Sequence, residues 1–158
     1  MENECVFCKI VKGEVPAEKI WEDENHLAIL DIFPNTDGFS VVLTKEHLPS
    51  YAFENSDTVL QNLIVATKKV VKLLDAAFED VGRTGVFFEG FGVDHLHSKL
   101  FPMHGTANME EWKKIETKDA GPFYEKYPGF LSSRSSTRID DNRLKELGEK
   151  IRSVAGGK

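Results

Sequence analysis

The sequence predicts an α+β domain in which short strands precede and follow one long helix. Three observations favour this class: short apolar runs between turn residues before residue 45, an apolar stripe at helical spacing over residues 56–78, and further short runs after residue 85. The chain has 158 residues, enough to bury a core without disulfide bonds.

The first half of the chain is predicted to contain three strands. Residues 10–16 contain a glycine and a proline and are predicted to be a turn. Residues 20–22 and 26–30 are predicted to be the strands of a hairpin, because Asp-Glu-Asn at 23–25 favours a turn. The continuous apolar run 39–44 predicts a strand buried on both faces.

A long helix is predicted next, with Ser56 or Asp57 as its N-cap and an end near Phe78. Its apolar stripe, which would cover the sheet, consists of Leu60, Leu63, Ile64, Thr67, Val70, Val71 and Leu74.

The strands after the helix are predicted to include the histidines. Gly82 and Gly85 bracket a predicted turn into a strand at residues 86–89, and a further strand would carry His95 and His97.

The last third of the chain is predicted to be a helical extension. Residues 107–115 are expected to form a short helix and residues 140–154 a terminal amphipathic helix. We therefore divide the chain into a domain at 1–105 and an extension at 106–158 that packs on it, because the extension has too few apolar residues to fold alone.

Charge and hydropathy exclude several classes of partner. The chain has 20 basic and 26 acidic residues, a net charge of −6, which disfavours nucleic-acid binding. No apolar run approaches the roughly 20 residues that span a membrane. The N-terminal stretch lacks the basic and apolar regions of a secretory signal, so we expect a cytoplasmic protein.

His95, His97 and Lys99 alternate with less polar residues, as on one face of a strand. They could form a site, or merely the polar outer face of a sheet. His97 is the candidate nucleophile, because a neutral imidazole can attack phosphorus and then leave. Lys99 could neutralise phosphate oxygens, or it could be a solvated lysine.

Cys5, Cys8, His47 and His95 have the composition of a tetrahedral structural zinc site. The C-x-x-C spacing also occurs in thioredoxin-like redox motifs, but those follow a strand, and only four residues precede Cys5. Two buried thiols with an unrelated surface histidine are a further alternative.

The segment from His95 to Pro102, His-Leu-His-Ser-Lys-Leu-Phe-Pro, resembles the signature of the histidine triad family. Together with shorter matches in the first half of the chain, the resemblance covers about residues 5–105. The shorter matches are Phe7-Cys-Lys-Ile10, Val15-Pro-Ala17, Trp21-Glu-Asp23, Leu27-Ala-Ile-Leu-Asp-Ile32 and Pro34.

The resemblance implies a five-stranded antiparallel sheet and a homodimer formed through the long helix and a neighbouring strand. It implies a covalent nucleotidyl intermediate on His97 and ribose binding by Asp31. It also implies a zinc ion on the Cys and His residues named above, as in zinc-containing relatives such as the hexose-phosphate uridylyltransferases. The residues that it places around the nucleobase are Phe7, Ile10, Leu30 and Ile32.

Two departures from the family pattern bear on substrate preference. Lys99 occupies the position of the third histidine, and Gly-Phe-Gly at 90–92 replaces the family's frequent Gly-Gln-Ser. We expect a hydrolase or transferase that cleaves a nucleoside phosphate ester, anhydride or phosphoramidate. The alternatives are a nucleotide-binding regulatory module with weak catalysis and a dimeric scaffold.

Overall fold

The computed structural model describes residues 5–34, 36–107, 124–126, 128 and 142. The chain divides into two compact units, Met1–Lys113 and Lys114–Lys158. All the helices and strands whose residue ranges are given in the next paragraph belong to the first unit. The helices predicted at 107–115 and 140–154 lie, except for single residues, outside the described part. The division at residue 105 stays a prediction.

The first unit contains a five-stranded antiparallel sheet with the order β1-β2-β3-β5-β4. Within the described residues, this confirms the predicted α+β class, the five-stranded sheet and the long helix. The elements are α1 (Val6–Lys12), β1 (Lys19–Glu22), β2 (His26–Leu30), β3 (Ser40–Thr44), a 3-10 turn (Ala52–Glu54), α2 (Asp57–Ala77), β4 (Val81–Phe87) and β5 (His97–His104).

Helix α2 covers one face of the sheet. Its Leu63 and Val70 are fully buried in a cluster with Val42 of β3 and Leu100 of β5. In the same interface the hydroxyl oxygens of Thr67 and Ser98 lie 2.8 Å apart, a hydrogen bond that satisfies two buried polar groups. The predicted N-cap is confirmed, because the Ser56 hydroxyl accepts a hydrogen bond from the amide of Val59.

Helix α1 packs against the opposite face. Its Ile10 belongs to a second buried cluster formed by β2 and β3, with Leu27, Ile29, Val41 and Leu43. Every residue of β3 is buried, which confirms the predicted central strand with both faces covered. Side chains alternate along β5, so successive residues lie on opposite faces of the sheet. The face that carries His97 is the face that α1 covers.

Four local predictions are wrong. Residues 10–16 are not wholly a turn, since α1 continues to Lys12 and ends at Gly13, whose φ is +78°. Strand β4 begins at Val81, so Gly82 and Gly85 lie inside a strand. Pairing with β5, in which Gly85 faces Phe101, supplies the strand geometry that glycine itself does not favour.

The other two errors concern single side chains. His95 precedes β5, so it is not part of the strand that holds His97. Ile64 does not face the sheet, because its side chain is 51% exposed. Of the other predicted stripe residues, Leu63, Thr67, Val70 and Leu74 are buried. In the part of the chain that the structure describes, no helix is both long and apolar enough to cross a bilayer.

Gly38 and Gly13 form a matched pair for testing how tightly the loop before β3 is packed. Both have φ of +78°, but a Cβ at Gly38 would lie 2.5 Å from Cε2 of Phe78, whereas a Cβ at Gly13 meets nothing within 4 Å. Gly13→Ala should cost about 1 kcal/mol from the left-handed conformation alone. Gly38→Ala should cost roughly 1–3 kcal/mol more because it overpacks the Phe78 ring.

Urea denaturation followed by circular dichroism measures both costs. Equal destabilisation of the two variants would show that the Phe78 ring moves aside freely.

Candidate active site and metal centre

Cys5, Cys8, His47 and His95 converge at one point of the structure. Their ligand atoms all lie within 4.8 Å of one another. The Sγ of Cys8 is 3.3 Å from Nδ1 of His47 and 3.5 Å from Nδ1 of His95, and the Sγ of Cys5 is 3.5 Å from the same His95 nitrogen. The two histidine Nδ1 atoms are 3.4 Å apart.

Three separate segments bring these ligands together. Cys5 is the N-cap of α1, and Cys8 follows three residues later on the same side of that helix. His47 lies in the loop after β3, and His95 lies in the segment just before β5. The amide of Leu96 donates to the carbonyl of Leu48, so a backbone hydrogen bond ties the two histidine segments together.

These distances fit a tetrahedral zinc ion. With Zn–S near 2.3 Å and Zn–N near 2.1 Å, a regular tetrahedron requires N–N edges of about 3.4 Å and S–N edges of about 3.6 Å. The observed N–N distance is 3.4 Å and the S–N distances are 3.3–3.5 Å. These four distances are close to tetrahedral edges, so the four residues that the sequence singled out could hold a metal ion.

A hydrogen bond holds His95 in the tautomer that such an ion needs. Its Nε2 lies 2.6 Å from the carbonyl oxygen of Thr44, which can only accept, so Nε2 carries the proton. The lone pair of Nδ1 is then directed at the cysteines, as in metal centres whose histidines are oriented by a backbone carbonyl. The ring is fully buried, and this burial lowers the pKa of His95 and keeps it neutral.

His97 is oriented by the same segment. Its Nδ1 lies 2.7 Å from the carbonyl oxygen of His95, so the proton is on Nδ1 and Nε2 holds a lone pair. The side chain is almost completely buried, with the Phe7 ring edge-on to it at 5.3 Å. Burial is the main cause that lowers the pKa of His97, and the nearby charge of Lys99 adds to it. A neutral, fixed imidazole is suited to nucleophilic attack.

Lys99 forms an ion pair with Glu89. Glu89 was not among the predicted site residues. It follows β4 by two positions, and Phe87 at the end of β4 pairs with Lys99 across the sheet. The opposite charges at 89 and 99 would have predicted the pair if the register of the two strands had been known.

The residues predicted to hold a nucleoside occupy different environments. Asp31 follows β2, and its Oδ1 accepts a hydrogen bond of 2.7 Å from the amide of Phe33. Phe7 and Leu30 are half-buried, Ile10 is buried in the cluster beneath α1, and Ile32 is 80% exposed.

The chain resembles known proteins over most of its length. A family model described as the HIT domain matches residues 12–152. An adenosine 5′-monophosphoramidase of Schizosaccharomyces pombe is 32% identical over 149 residues, which are 94% of this chain and 96% of that protein.

Two solved structures are similar in fold. A protein of Streptococcus mutans has a TM-score of 0.68 and 28% identity, with 97% of this chain and 86% of that chain covered. A zinc-bound histidine triad family protein of Mycobacterium smegmatis has a TM-score of 0.59 and 26% identity, over 75% of this chain and 86% of that chain. With the fold, the family match and the paired histidines in agreement, the chain belongs to the histidine triad (HIT) family.

Proposed function

We propose that this protein is a nucleotide hydrolase or nucleotidyl transferase in which His97 forms a covalent nucleotidyl intermediate. The observation that carries the proposal is the state of the His97 imidazole. Its Nδ1 proton is held by the His95 carbonyl, so Nε2 is the nitrogen that can attack phosphorus. The S. pombe relative, named as an adenosine 5′-monophosphoramidase, supports a nucleoside monophosphate as the transferred group.

In the proposed reaction, Nε2 of His97 forms a bond to phosphorus while the bond to the leaving group breaks. Water or another acceptor then attacks phosphorus, and the bond electrons return to the imidazole. The Nδ1–H donates to the His95 carbonyl throughout, which stabilises the positive charge on the substituted ring. Lys99, two residues along the strand from His97, balances charge on the phosphate.

Asp31 is proposed to bind the ribose hydroxyls. The hydrogen bond from the Phe33 amide occupies Oδ1 and fixes the carboxylate, while the second oxygen can accept from a hydroxyl. Phe7, Leu30 and Ile32 would contact the base. Ile10 would support Phe7 from beneath, because it is buried within the core.

We assign zinc to the Cys5, Cys8, His47 and His95 site. Its two thiols and two imidazoles are a characteristic zinc ligand set, and their ligand atoms all lie within 4.8 Å of one another. Held by these four residues, an ion would link α1 to the two histidine segments and so would support the carbonyl that orients His97. Thiol ligands of this kind are kept reduced in the cytoplasm, where we place the protein.

Replacing His97 with asparagine should abolish turnover while the nucleotide still binds. We expect kcat to fall at least roughly 1,000-fold, because the nucleophile of the covalent step is lost. The measurement is hydrolysis of adenosine 5′-phosphoramidate, with mass spectrometry of the quenched wild-type protein to detect an AMP adduct on His97.

The matched control is His104→Asn. His104 lies at the far end of β5, where its Nδ1 is 2.9 Å from an Asp80 carboxylate oxygen. This variant should keep the wild-type rate. A His97→Asn protein with a near-normal rate, or an adduct on another residue, would refute the assignment of the nucleophile.

Loss of one metal ligand should release zinc and loosen the site. His47→Asn should lower zinc affinity by more than the roughly 100-fold that follows removal of a supporting partner. Its melting temperature should also fall, since metal binding stabilises the folded state. Elemental analysis and thermal melts, with and without a chelator, measure both effects.

The His104→Asn variant again serves as the control and should retain zinc. A wild-type protein purified without added metal that contains no zinc, and that binds none on titration, would disprove the zinc assignment.

A homodimer through α2 is proposed from exposed apolar side chains. Ile64, Val65 and Leu73 of α2 are 45–53% exposed, and Val86 on the neighbouring edge strand β4 is 37% exposed.

Ile64→Lys should convert the dimer to a monomer in sedimentation velocity experiments, because it would place a charge in an apolar interface. Glu24→Lys, in the exposed turn between β1 and β2, should not. A monomeric wild-type protein at micromolar concentration would disprove the dimer.

A further inference from the structure

The ion pair between Lys99 and Glu89 lies beside the proposed nucleophile. Lys99 is two residues from His97 along β5, so both side chains project from the same face of the sheet. The pair is mostly shielded from water, since the Lys99 side chain is 25% exposed and that of Glu89 is 14% exposed. Glu89 therefore holds Lys99 at the site in preference to solvent.

The pair adds little net charge beside His97, because the ammonium of Lys99 and the carboxylate of Glu89 carry opposite charges. Lys99 therefore offers hydrogen-bond donors on the face of the sheet that carries His97.

The hydrogen-bonding capacity of Lys99 differs from that of an imidazole. An ammonium group has three donors and no acceptor, whereas an imidazole can donate with one nitrogen and accept with the other. Glu89 occupies one donor of Lys99. The remaining donors can stabilise an oxygen that gains negative charge, but the group cannot accept a hydrogen bond from an N–H.

Lys99 is also poorly placed to transfer a proton. If it gave a proton to a leaving group, a neutral amine would remain beside the Glu89 carboxylate, and a mostly buried charge would lose its partner. Breaking a shielded ion pair from one side is unfavourable, because the remaining charge has lost both its partner and much of its hydration. The Lys99–Glu89 pair therefore stabilises a departing anion better than it protonates a departing amine.

We infer that the Lys99–Glu89 pair makes this protein selective for nucleoside monophosphates joined to an oxyacid, such as a nucleoside 5′-phosphosulfate, over nucleoside phosphoramidates. This rests on the proposed function, in which His97 is the nucleophile. In this inferred role, Lys99 contacts the leaving group as well as the phosphate, and the pair determines specificity.

With a phosphosulfate, the step balances without an acid. Nε2 of His97 bonds to phosphorus, the bond from phosphorus to the bridging oxygen breaks, and its electron pair leaves with sulfate. Lys99 donates a hydrogen bond to that oxygen. Water then attacks phosphorus, the P–N bond electrons return to the ring, and the proton of the water passes to solvent. A phosphoramidate needs an additional proton on its nitrogen, because an amine does not leave as an anion.

The test compares rates of AMP adduct formation on His97 at saturating substrate, with adenosine 5′-phosphosulfate and adenosine 5′-phosphoramidate as probes. Lys99→His should raise the phosphoramidate rate relative to the phosphosulfate rate by roughly 100-fold, the lower end of what a positioned acid contributes. Lys99→Arg should leave the ratio close to the wild-type value, because a guanidinium also donates but does not release its proton.

Glu89→Gln tests the partner. The ratio of the phosphoramidate rate to the phosphosulfate rate should rise in this variant. Without the Glu89 carboxylate, a proton can leave Lys99 without breaking an ion pair. Lys68→His, the same substitution on an exposed position of α2, should leave the ratio unchanged. Thermal melts establish that each variant is folded.

A second measurement needs only the wild-type protein. Across a series of aryl esters of AMP, the rate should rise steeply as the leaving phenol becomes more acidic, because Lys99 donates a hydrogen bond but does not release its proton. A shallow dependence, an unchanged ratio in Lys99→His, or an equal shift in Lys99→Arg would overturn the inference while adducts on His97 still form. No adduct with any probe would instead refute the proposed function, and the inference would be refuted with it.

Discussion

The hydrogen bond from Nδ1 of His97 to the carbonyl of His95 is the contact on which the rest of the site depends. It joins the candidate metal centre to the candidate nucleophile within three residues of chain. His95 itself is held on the other side by the Thr44 carbonyl, which accepts from its Nε2. Neither ring can rotate without losing a buried hydrogen bond, so the tautomers of both histidines are determined by backbone atoms.

The sheet makes this arrangement stable by burying the polar groups together with their partners. His95, His97 and Ser98 are all almost inaccessible to solvent. Within the described residues, no buried side-chain nitrogen or oxygen lacks a hydrogen-bond partner. Because an unsatisfied polar group in such a place would be costly, the core tolerates these residues only in this register of β3 and β5.

The charge of Lys99 is compensated from the neighbouring strand. Alone, the ammonium group would add an uncompensated charge beside His97. Glu89, two residues beyond the end of β4, forms an ion pair with it. The pair is independent of the hydrogen bonds of His95 and His97, because those bonds are made to backbone carbonyls.

Much of the fold could be predicted from local patterns. The bounds of β2 were predicted correctly, and those of α2 and its cap to within a residue, because the strand follows a turn signal and the helix has both a capping serine and a repeated apolar stripe. Helix α1 was missed, since it has only seven residues and its N-cap Cys5 provides no side-chain hydrogen bond. The start of β4 was predicted five residues too late, because its glycines do not favour a strand and are held in one only by pairing with β5.

By itself, the sequence determined the residue types of the site: two cysteines at helical spacing, and histidines and a lysine at strand spacing. Only the tertiary structure decided which of them meet, because Cys8 is 87 residues from His95 and 39 from His47. The same holds for Glu89, whose partner is known only once the register of β4 and β5 is known. Local patterns reflect interactions between near neighbours in the chain, whereas metal ligands and ion pairs of this kind depend on how distant segments pack.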